Sequence, residues 1–551
     1  WGFPHSLNVD EAHVVYLASQ LTARFQASGS LDPQASSYGA LPLYLLALAT
    51  GLAEQALLWL KSFLPIPFDS APMLYVGRLL SLLASTATVV LTAALAGRLF
   101  GRGVAWLSAL LLAVSLLPVR EAHFATVDSL LVAGSALTLW LGVGIAQRGA
   151  WRDYLATGLA LALAMATKIG AVVLLAPILV AHLSAVWAPP RQLTRHWARL
   201  LALGLTAVAV WLLLNPYALL DPAGYFDLDR NDSVRTQGLV VRGDLPVLYT
   251  LQFEGTRPYL YALTNWLPWG LGVPLEAAAV LGVGYSAWRV VRPRAGGGLS
   301  PQGVTPGWFA DAYLLAWLLA YFMTTGGWYA KFIRYALPLI PVLCLLAGRL
   351  LADAWTRAGA RGRWAVALAA GAVVLSSLAY TAGYVGLYVQ PDTRLAAAAW
   401  VRANIPAGAS VLVEKDEGIF MHEAGELYGL DDRNWRVWNP YQIDGVASAR
   451  YQAPPVSEAQ TRAYLQQLLT TDYVIVGTSW AERFRAGAAR FPAQAEFYAR
   501  LFAGDAGYEL IQTFQAYPHL GPLTWPDDTA ELTFRLFDHP TIYVFKKAGA
   551  P

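Results

Sequence analysis

The sequence predicts an α-helical protein with many membrane spans and a smaller water-soluble domain at its C-terminal end. Of its 551 residues, 56% are hydrophobic and only 14% are charged, whereas a soluble globular chain has about 25% charged residues. Apolar windows long enough to cross a hydrocarbon core of roughly 30 Å recur between residues 74 and 388. After residue 390 the composition becomes that of a soluble chain.

Charge and cysteine content exclude several other classes of protein. The formal net charge is only +3 and the chain has no dense basic run, which argues against nucleic-acid binding. The single cysteine, Cys344, lies within an apolar stretch, so a disulfide framework and a cysteine-based metal site are excluded.

Ten membrane spans are predicted from the apolar windows. They lie near residues 74–97, 104–118, 128–146, 154–167, 170–187, 198–214, 266–288, 312–325, 335–351 and 364–388. The stretch 40–60 is also apolar, but Glu54 and Gln55 interrupt it, so an interfacial or re-entrant helix is favoured over a span. Because the chain opens at Trp1 inside a predicted loop, we expect a further span before it.

The distribution of arginine predicts the orientation in the membrane. Alternate loops are rich in arginine and are predicted to be cytoplasmic; they contain Arg98, Arg102, Arg148, Arg152, Arg191, Arg195, Arg199, Arg289, Arg292, Arg294, Arg357, Arg361 and Arg363. The opposite loops, including 1–39, 118–127, 215–265 and 326–334, then lie outside the cytoplasm together with the C-terminal tail. We expect an integral protein of the plasma (inner) membrane with its functional loops and tail on the extracytoplasmic side.

Two domains are predicted, a membrane domain over residues 1–389 and a soluble α/β domain over residues 390–551. In the second domain a helical pattern over 392–405 precedes three strand-like stretches, Ser410–Glu414, Tyr473–Gly477 and Thr541–Phe545. It contains no glycine-rich phosphate loop, nucleophile elbow or histidine cluster, so we expect it to recognise or support rather than catalyse.

Two adjacent acids, Asp10 and Glu11, stand in the first predicted outer loop and are followed by His13. Such a pair can supply a general base and a partner that supports it. The alternative is a solvated loop or a helix cap, with Asp10 preceding the first helical turn.

The second outer loop has four titratable residues within nine positions, namely Arg120, Glu121, His123 and Asp128. This density next to a membrane span indicates a polar functional site. The alternative is interfacial anchoring, in which Arg120 reaches the membrane surface and Asp128 caps the next helix.

Lys331 and Arg334 are three residues apart at the predicted outer mouth of a span, with Tyr335 beside them. Two cations on one helical face suit a lipid-linked phosphate at the headgroup level, because ammonium and guanidinium groups neutralise phosphate oxygens. Interfacial anchoring is again the alternative. Arg78, Lys168 and Arg257 are further candidates for phosphate or sugar contacts at outer ends of spans or in the long outer loop. The alternatives are side chains that reach the membrane surface for Arg78 and Lys168, and a plain surface loop for Arg257.

Taken in order, these stretches resemble the polyprenyl-phosphate-dependent glycosyltransferases of the GT-C class. The resemblance is strongest to the branch that holds the protein O-mannosyltransferases and the lipid A aminoarabinose transferase (family 39). The matching stretches are 9–11, 38–44, 78–83, 97–102, 120–128, 166–168 and 331–341. The resemblance covers residues 1–390 and implies a GT-C-like bundle of spans with an active site in the outer loops.

The resemblance also implies a reaction, the transfer of a sugar from a polyprenyl-phosphate donor with inversion at the anomeric carbon. It assigns Asp10 as the general base, Glu11 as its neighbour and Asp128 as the acid after the second outer loop. It places Lys331 and Tyr335 near the lipid phosphate.

The resemblance further matches Arg78 to an arginine that is important in the mannosyltransferase branch. One departure is visible: where the aminoarabinose branch has a lysine, this chain has 38–40, Tyr-Gly-Ala. That leaves Arg78, Arg120 or Arg334 to replace the missing phosphate contact, while His123, Lys168 and Arg257 are assigned to substrate binding.

The expected partners are membrane lipid, a polyprenyl-phosphate-linked sugar and an acceptor that is a protein, a lipid or a glycan. Further membrane proteins remain open as partners. No cofactor is implied, and a metal site built from His13, His123 and nearby acids is disfavoured. The alternative function is a catalytically silent membrane subunit of the same fold. A transporter or flippase is disfavoured because the chain shows no internal repeat.

Overall fold

The computed structural model describes residues 8–63, 72–187, 193–227, 233–245, 247–292, 308–415, 434–438, 442–443, 446–447 and 458–550. Trp1 and the span expected before it lie outside this part of the chain. Two structural units are visible within the described residues, a large helical domain and a C-terminal domain that contains a sheet.

The helical domain contains α-helices of very different length. They are α1 Val9–Ser28, α2 Ala40–Lys61, α3 Pro72–Phe100, α4 Arg102–Ala113, α5 Leu116–Glu121, α6 Asp128–Gln147, α7 Trp151–Thr167, α8 Leu175–Trp187, α9 Leu193–Leu214, α10 Tyr217–Leu220, α11 Pro222–Tyr225, α12 Val234–Arg242, α13 Leu267–Leu271, α14 Val273–Val291, α15 Phe309–Thr325, α16 Ile340–Arg357 and α17 Ala360–Val385. Short 3₁₀ turns cover Ile169–Leu174, Leu248–Phe253, Ile333–Leu339 and Gly386–Val389, and a π-helical turn covers Ala262–Trp266.

Among the described residues, seven helical segments are long and apolar enough to cross a membrane. They are Ala40–Lys61, Met73–Phe100, Asp128–Gln147, Ile169–Val186, His196–Leu214, Ile333–Arg357 and Ala360–Asn404, and two shorter apolar helices are α4 and α15. The prediction of a polytopic helical membrane protein is confirmed, although this number is smaller than the ten predicted spans. One reason is that the window 266–288 is broken at Gly272, which separates α13 from α14.

The stretch predicted to be interfacial forms the 22-residue helix α2, whose length and hydropathy also suit a span. Its interfacial placement therefore stays a prediction, as does the orientation of the whole domain in the membrane.

Burial separates central from peripheral helices. In the apolar window of Ile333–Arg357, 78% of the residues are buried inside the protein, compared with 17% for α2 and for His196–Leu214. The outer faces of the peripheral helices present large apolar side chains such as Leu201, Leu205 and Leu213. A surface of this composition is suited to contact with lipid rather than with water.

Glycine permits close helix contacts in the core. A Cβ atom at Gly282 in α14 would lie 2.6 Å from the carbonyl oxygen of Leu346 in α16. A Cβ atom at Gly158 in α7 would lie 2.7 Å from the carbonyl oxygen of Leu203 in α9. Small residues at such positions let helix backbones approach, which is the usual way of packing helices in membranes.

The C-terminal domain is an α/β unit, as predicted. Its helices are α18 Thr393–Asn404, α19 Glu458–Leu468, α20 Thr478–Ala486, α21 Pro492–Ala503 and α22 Leu532–Leu536. Its strands are β1 Ser410–Glu414, β2 Asn434–Trp438, β3 Gln442–Ile443, β4 Val446–Ala447, β5 Tyr473–Gly477, β6 Tyr508–Phe514, β7 His519–Leu520, β8 Leu523–Thr524 and β9 Ile542–Lys547.

Five strands form the main sheet of this domain in the order β2-β1-β5-β9-β6. β1 is parallel to β2 and β5, whereas β9 is antiparallel to β5 and β6. Apolar clusters cover both faces of the sheet, one around Trp480 and Phe497 and the other around Val401 and Val544. The two faces explain why β5 is buried along its whole length. The strands predicted at Ser410–Glu414 and Tyr473–Gly477 are confirmed, and the third begins one residue later than predicted.

The C-terminal domain packs directly on one end of the helical domain. Leu248 and Leu251, from the long loop between α9 and α13, lie in the apolar core of the C-terminal domain. Arg490 of the C-terminal domain approaches Glu254 of the same loop at 3.6 Å. The segment 527–541, which includes α22, contacts Arg120 of α5, Tyr384 near the end of α17 and the backbone of Ile333. This junction lies beside the candidate site.

Candidate active site

The N-terminal turn of α1 places two acids in different environments. Asn8 caps the helix by accepting a hydrogen bond from the backbone N–H of Glu11 at 3.2 Å. Asp10 forms an ion pair with Arg334, and both side chains are about one fifth exposed, 21% and 18%. Glu11 is fully buried. The two carboxylates are adjacent in the sequence, but they differ in burial, and only Asp10 is accessible from solvent.

Glu11 is held by a dense set of donors. The Arg78 guanidinium donates from Nε to Oε2 at 2.9 Å and from Nη2 to Oε1 at 2.8 Å. The backbone N–H of Ala125 donates to Oε2 at 2.8 Å. Since Glu11 joins α1 to α3 and to the loop before α6, the geometry favours a structural role that fixes the position of its neighbour Asp10.

Arg334 stands in the 3₁₀ turn Ile333–Leu339, between α15 and α16. Its guanidinium carbon lies 4.8 Å from the ring centre of Phe332 and 5.9 Å from that of Tyr335. Rings on two sides restrict the directions in which the guanidinium can turn, and stacking of this kind stabilises arginine at partly buried positions.

A second ion pair joins Asp128, in the first turn of α6, to Lys168 at 2.6 Å. Lys168 also lies 5.8 Å from the ring centre of Tyr38, and that ring is 6.0 Å from the ring of His13 in α1. Asp128 begins α6, and α6 packs against the 3₁₀ turn Ile333–Leu339 that holds Arg334 and Tyr335. The two ion pairs are thus connected through α1 on one side and the Arg334 turn on the other.

The segment 38–40, where the sequence departs from the aminoarabinose branch, is fixed by a tight contact. The N–H of Gly39 donates to the carbonyl of Thr167 at 2.9 Å, and a Cβ atom at position 39 would overlap the carbonyl oxygen of Ala166. The N–H of Ala40 donates to the Asn215 side chain at 3.0 Å. This contact holds the Tyr38 ring beside Lys168.

The structure therefore brings six of the predicted residues into one region, and these are Asp10, Glu11, Arg78, Asp128, Lys168 and Arg334, with Tyr335 next to them. This arrangement of alternating acids and cations lies at the end of the helical domain on which the C-terminal domain packs. Which of the residues act on a substrate stays a prediction.

Arg120 makes its contacts in the domain junction and not with the two ion pairs. It donates to Asp538 at 2.6 Å, to Glu121 at 2.6 Å and to the carbonyl of Thr533 at 3.1 Å, and it contacts the hydroxyl of Tyr384. Burial raises the pKa of Glu121 to about 7, although the charge of Arg120 opposes this shift. All three Arg120 nitrogens have partners, so the geometry gives this arginine a docking function.

Lys331 is buried, but its ammonium group does not join the two ion pairs. It donates to the hydroxyl of Thr256 at 3.0 Å and to the carbonyl of Tyr329 at 2.9 Å. Within the described residues it forms no ion pair. Desolvation by the surrounding protein lowers its pKa to about 8. A buried ammonium without a counter-ion is a natural place for an anion to bind.

The remaining two predicted residues are exposed. His123 has a contact of 2.7 Å between Nδ1 and the carbonyl of Val119, and its ring lies 4.8 Å from that of Tyr388. Arg257 is exposed in the long loop. Neither side chain reaches the ion pairs in this structure, so their assignment to substrate binding stays a prediction.

Sequence reasoning missed several residues that shape the site, and these are Thr256, Asn265, Trp266, Glu531 and Asp538. Thr256, Asn265 and Trp266 are uncharged and belong to no recognisable local motif. The last two lie about 200 residues beyond Arg334 in the chain, in a domain without catalytic motifs. A signal was available in the segment 527–541, where six of the fifteen residues are titratable.

Within the described part of the chain, no three His, Cys, Asp or Glu side chains are grouped closely enough to hold a metal ion. A mechanism without a metal stays a prediction.

Residues 73–214, about a quarter of the chain, match the family model of dolichyl-phosphate-mannose-protein mannosyltransferases. The matched range includes α3 through α9 and with them Arg78, Asp128 and Lys168. The match confirms the resemblance that the sequence motifs indicated and supports a glycosyltransferase function. No curated protein sequence matches the chain significantly.

Several solved structures resemble the chain at low sequence identity. The oligosaccharyltransferase of Archaeoglobus fulgidus in its apo form has a TM-score of 0.48 at 12% identity, covering 100% of this chain and 86% of that chain. ArnT from Cupriavidus metallidurans, bound to undecaprenyl phosphate, has a TM-score of 0.48 at 13% identity, covering 88% and 90%. The arabinofuranosyltransferase AftD from Mycobacteria has a TM-score of 0.38 at 15% identity, covering 98% and 41%.

Proposed function

We propose that this chain, which resembles protein mannosyltransferases over part of its membrane domain, is an inverting glycosyltransferase of the plasma membrane. It takes a sugar from a polyprenyl-phosphate donor and transfers it to an extracytoplasmic acceptor, which is a protein, a lipid or a glycan. The observation that carries this proposal is the ion pair between Asp10 and Arg334, next to the pair of Asp128 and Lys168.

Asp10 is the proposed general base. A sugar or side-chain hydroxyl is a weak nucleophile, and a positioned carboxylate that takes its proton accelerates transfer by about 10²–10⁴-fold. Asp10 is partly exposed, so an acceptor hydroxyl can reach it, whereas Glu11 is fully buried and already accepts three hydrogen bonds. The acceptor therefore meets Asp10, while Glu11 holds the helix in place.

The cations stabilise the leaving lipid phosphate. As the acceptor oxygen bonds to the anomeric carbon, the bond from that carbon to the phosphate oxygen breaks, and its electron pair stays with the phosphate. Arg334 offers forked donors that match phosphate oxygens. In the resting protein this guanidinium is bound to Asp10. A donor phosphate that engages Arg334 weakens this pair and frees the Asp10 carboxylate to accept the proton.

Lys331 is the proposed second phosphate ligand. Its buried ammonium forms no ion pair within the described residues, and a bound phosphate would compensate the cost of burying that charge. It also lies only three residues before Arg334 in the same segment. Lys168 is a third cation at the site, although Asp128 already neutralises it at 2.6 Å.

A catalytically silent subunit of the same fold is the second candidate. It is favoured by one specific observation, that Asp10 and Asp128 are both already paired with cations in the absence of substrate. In such a protein the ion pairs would serve only to hold the helices together.

A transfer assay distinguishes the two functions. The purified chain in lipid nanodiscs is incubated with a panel of undecaprenyl- and dolichyl-phosphate sugars and with peptide, lipid and glycan acceptors. We expect transfer from one donor class, and a loss of at least about 10²-fold for Asp10→Asn. Asp505→Asn, which removes an exposed carboxylate far along the chain, is the matched control and should retain activity. No transfer from any donor, or normal transfer by Asp10→Asn, contradicts the assignment.

A further inference from the structure

We propose that Glu531 of the C-terminal domain is a positioning residue that fixes the Arg334 turn, so that the C-terminal domain completes the active site. This inference rests on the proposed function, in which Arg334 binds the donor phosphate. It gives the C-terminal domain a part in catalysis that is independent of acceptor recognition.

Glu531 is 1% exposed and lies where the two domains meet. Its Oε2 accepts a hydrogen bond from the backbone N–H of Ile333 at 3.3 Å. Ile333 is the residue directly before Arg334. The contact therefore acts on the backbone that carries the guanidinium, across almost 200 positions of sequence.

A second contact, from within the membrane domain, fixes the same backbone. The indole N–H of Trp266 donates to the carbonyl of Lys331 at 2.7 Å. Trp266 ends the π-helical turn Ala262–Trp266, a rare geometry that is frequent at functional sites. The carbonyl of residue 331 and the N–H of residue 333 are thus both held. The main chain before Arg334 has little freedom to shift without losing one of these bonds.

The same π-helical turn also holds Glu531 itself. Asn265 accepts a hydrogen bond from the N–H of Glu531 at 2.9 Å and donates to the carbonyl of Thr529 at 3.3 Å. Glu531, Asn265 and the Arg334 turn therefore form one connected unit, in which Glu531 and Trp266 are the two supports of the turn.

Glu531 also caps a helix of its own domain, and the test must separate this capping from the positioning of the Arg334 turn. It caps α22, since Oε1 accepts from the N–H of Thr533 at 3.1 Å and Oε2 accepts from the Thr533 hydroxyl. Burial raises the pKa of the Glu531 carboxyl, while the hydrogen bonds from Thr533 and Ile333 and the charge of Arg334 oppose that shift. Four donor or charge contacts on one carboxyl give it a defined orientation toward the site.

The variant Glu531→Asp separates capping from positioning. Aspartate is among the best helix caps, so α22 keeps its cap and its charge. The side chain is one methylene shorter and does not reach the N–H of Ile333. Asp528→Asn is the matched control, because Asp528 is exposed, lies three residues earlier in the same segment and is bound to Tyr517 rather than to the membrane domain.

Two measurements on the full chain in nanodiscs test the proposal. Hydrogen–deuterium exchange should be at least about tenfold faster in peptides covering 328–337 for Glu531→Asp, with the thermal unfolding midpoint unchanged and with no such change for Asp528→Asn. With the donor that the wild-type chain uses, KM for the donor should rise about tenfold while KM for the acceptor stays constant, because only phosphate binding is disturbed. A purely structural role would lower only the active fraction and change neither KM.

The results test the positioning role of Glu531 and the proposed function separately. Unchanged exchange over 328–337, or faster exchange with both KM values unchanged, overturns the positioning role of Glu531. Faster exchange in a protein whose wild type transfers no sugar overturns the proposed function instead, and leaves the support of the Arg334 turn by Glu531 as a structural finding.

Discussion

Asp10 and Glu11 show how strongly the surroundings of a residue decide its chemistry. Both are carboxylates in the first turn of α1, and both are paired with an arginine. Glu11 is fully buried and joins three segments of the chain, whereas Asp10 keeps one fifth of its side chain exposed. The first arrangement stabilises the fold, and the second leaves a carboxylate that a substrate can reach.

The variant Glu11→Gln should therefore lower stability more than Asp10→Asn does. It leaves the largely buried Arg78 without its carboxylate, a loss of about 3 kcal/mol for a broken buried pair. The thermal unfolding midpoint in a fixed detergent should fall by several degrees for Glu11→Gln and stay near that of the wild type for Asp10→Asn. Equal destabilisation by the two variants would show that Asp10 is as structural as its neighbour.

The proposed role of Lys331 as a phosphate ligand predicts that donor binding depends on pH. Its pKa of about 8 means that the ammonium is charged below that pH and neutral above it. A bound phosphate prefers the charged form, so donor affinity should be constant below about pH 8 and fall as the pH rises through it. The arginine in Lys331→Arg stays charged over the whole range, and the fall should disappear. Titration of undecaprenyl phosphate affinity between pH 7.5 and 10, above the second pKa of the phosphate monoester near 6, measures this, and an identical fall in Lys331→Arg would remove the lysine from the phosphate site.

At the scale of elements, short irregular segments rather than long helices position the site. The 3₁₀ turn Ile333–Leu339 holds Arg334, the π-helical turn Ala262–Trp266 supports it, and the segment 38–40 places Tyr38 beside Lys168. Long apolar helices could be predicted from composition and length, because burial in a membrane requires both. The irregular turns have no such signal, since their geometry follows from contacts with distant parts of the chain.

Gly39 provides a test of one such turn. A Cβ atom there would overlap the carbonyl of Ala166, so Gly39→Ala must push α2 away from the end of α7. We expect a loss of about 1–3 kcal/mol in stability, typical of overpacking, and weaker transfer because Tyr38 and Lys168 separate. Gly51→Ala, at a position in α2 with nothing within 4 Å, is the matched control and should have no such effect. Equal thermal midpoints for the two variants would contradict the close contact.

At the scale of the whole molecule, sequence and structure agree on architecture and differ on how the domains cooperate. The helical membrane domain, the α/β domain and three of its strands follow from hydropathy and from the pattern of residue types. The ion pair of Asp10 with Arg334 joins residues 324 positions apart, and that of Asp128 with Lys168 joins residues 40 positions apart. A single sequence does not specify such pairings. The family resemblance singled out these residues without giving their partners.

The assignment of Arg120 shows the same limit. Its sequence neighbours suggested a substrate contact, while the structure places it in the junction with Asp538 and Thr533. That the C-terminal domain recognises or supports stays a prediction; the contacts of Arg120 with Asp538 and of Ile333 with Glu531 show that it is joined to the membrane domain. The motifs of the C-terminal domain do not reveal these contacts, because the contacts depend on how the domain packs against the membrane domain.

The most direct test of the central claim is a structure of the Asp10→Asn variant in lipid nanodiscs with undecaprenyl phosphate bound. The account predicts a phosphate within about 3 Å of the Arg334 guanidinium, the distance of a charge-assisted hydrogen bond, with the side chain of residue 10 facing the site of the sugar. A lipid phosphate bound away from Arg334, or a site closed to lipid by the C-terminal domain, would contradict it.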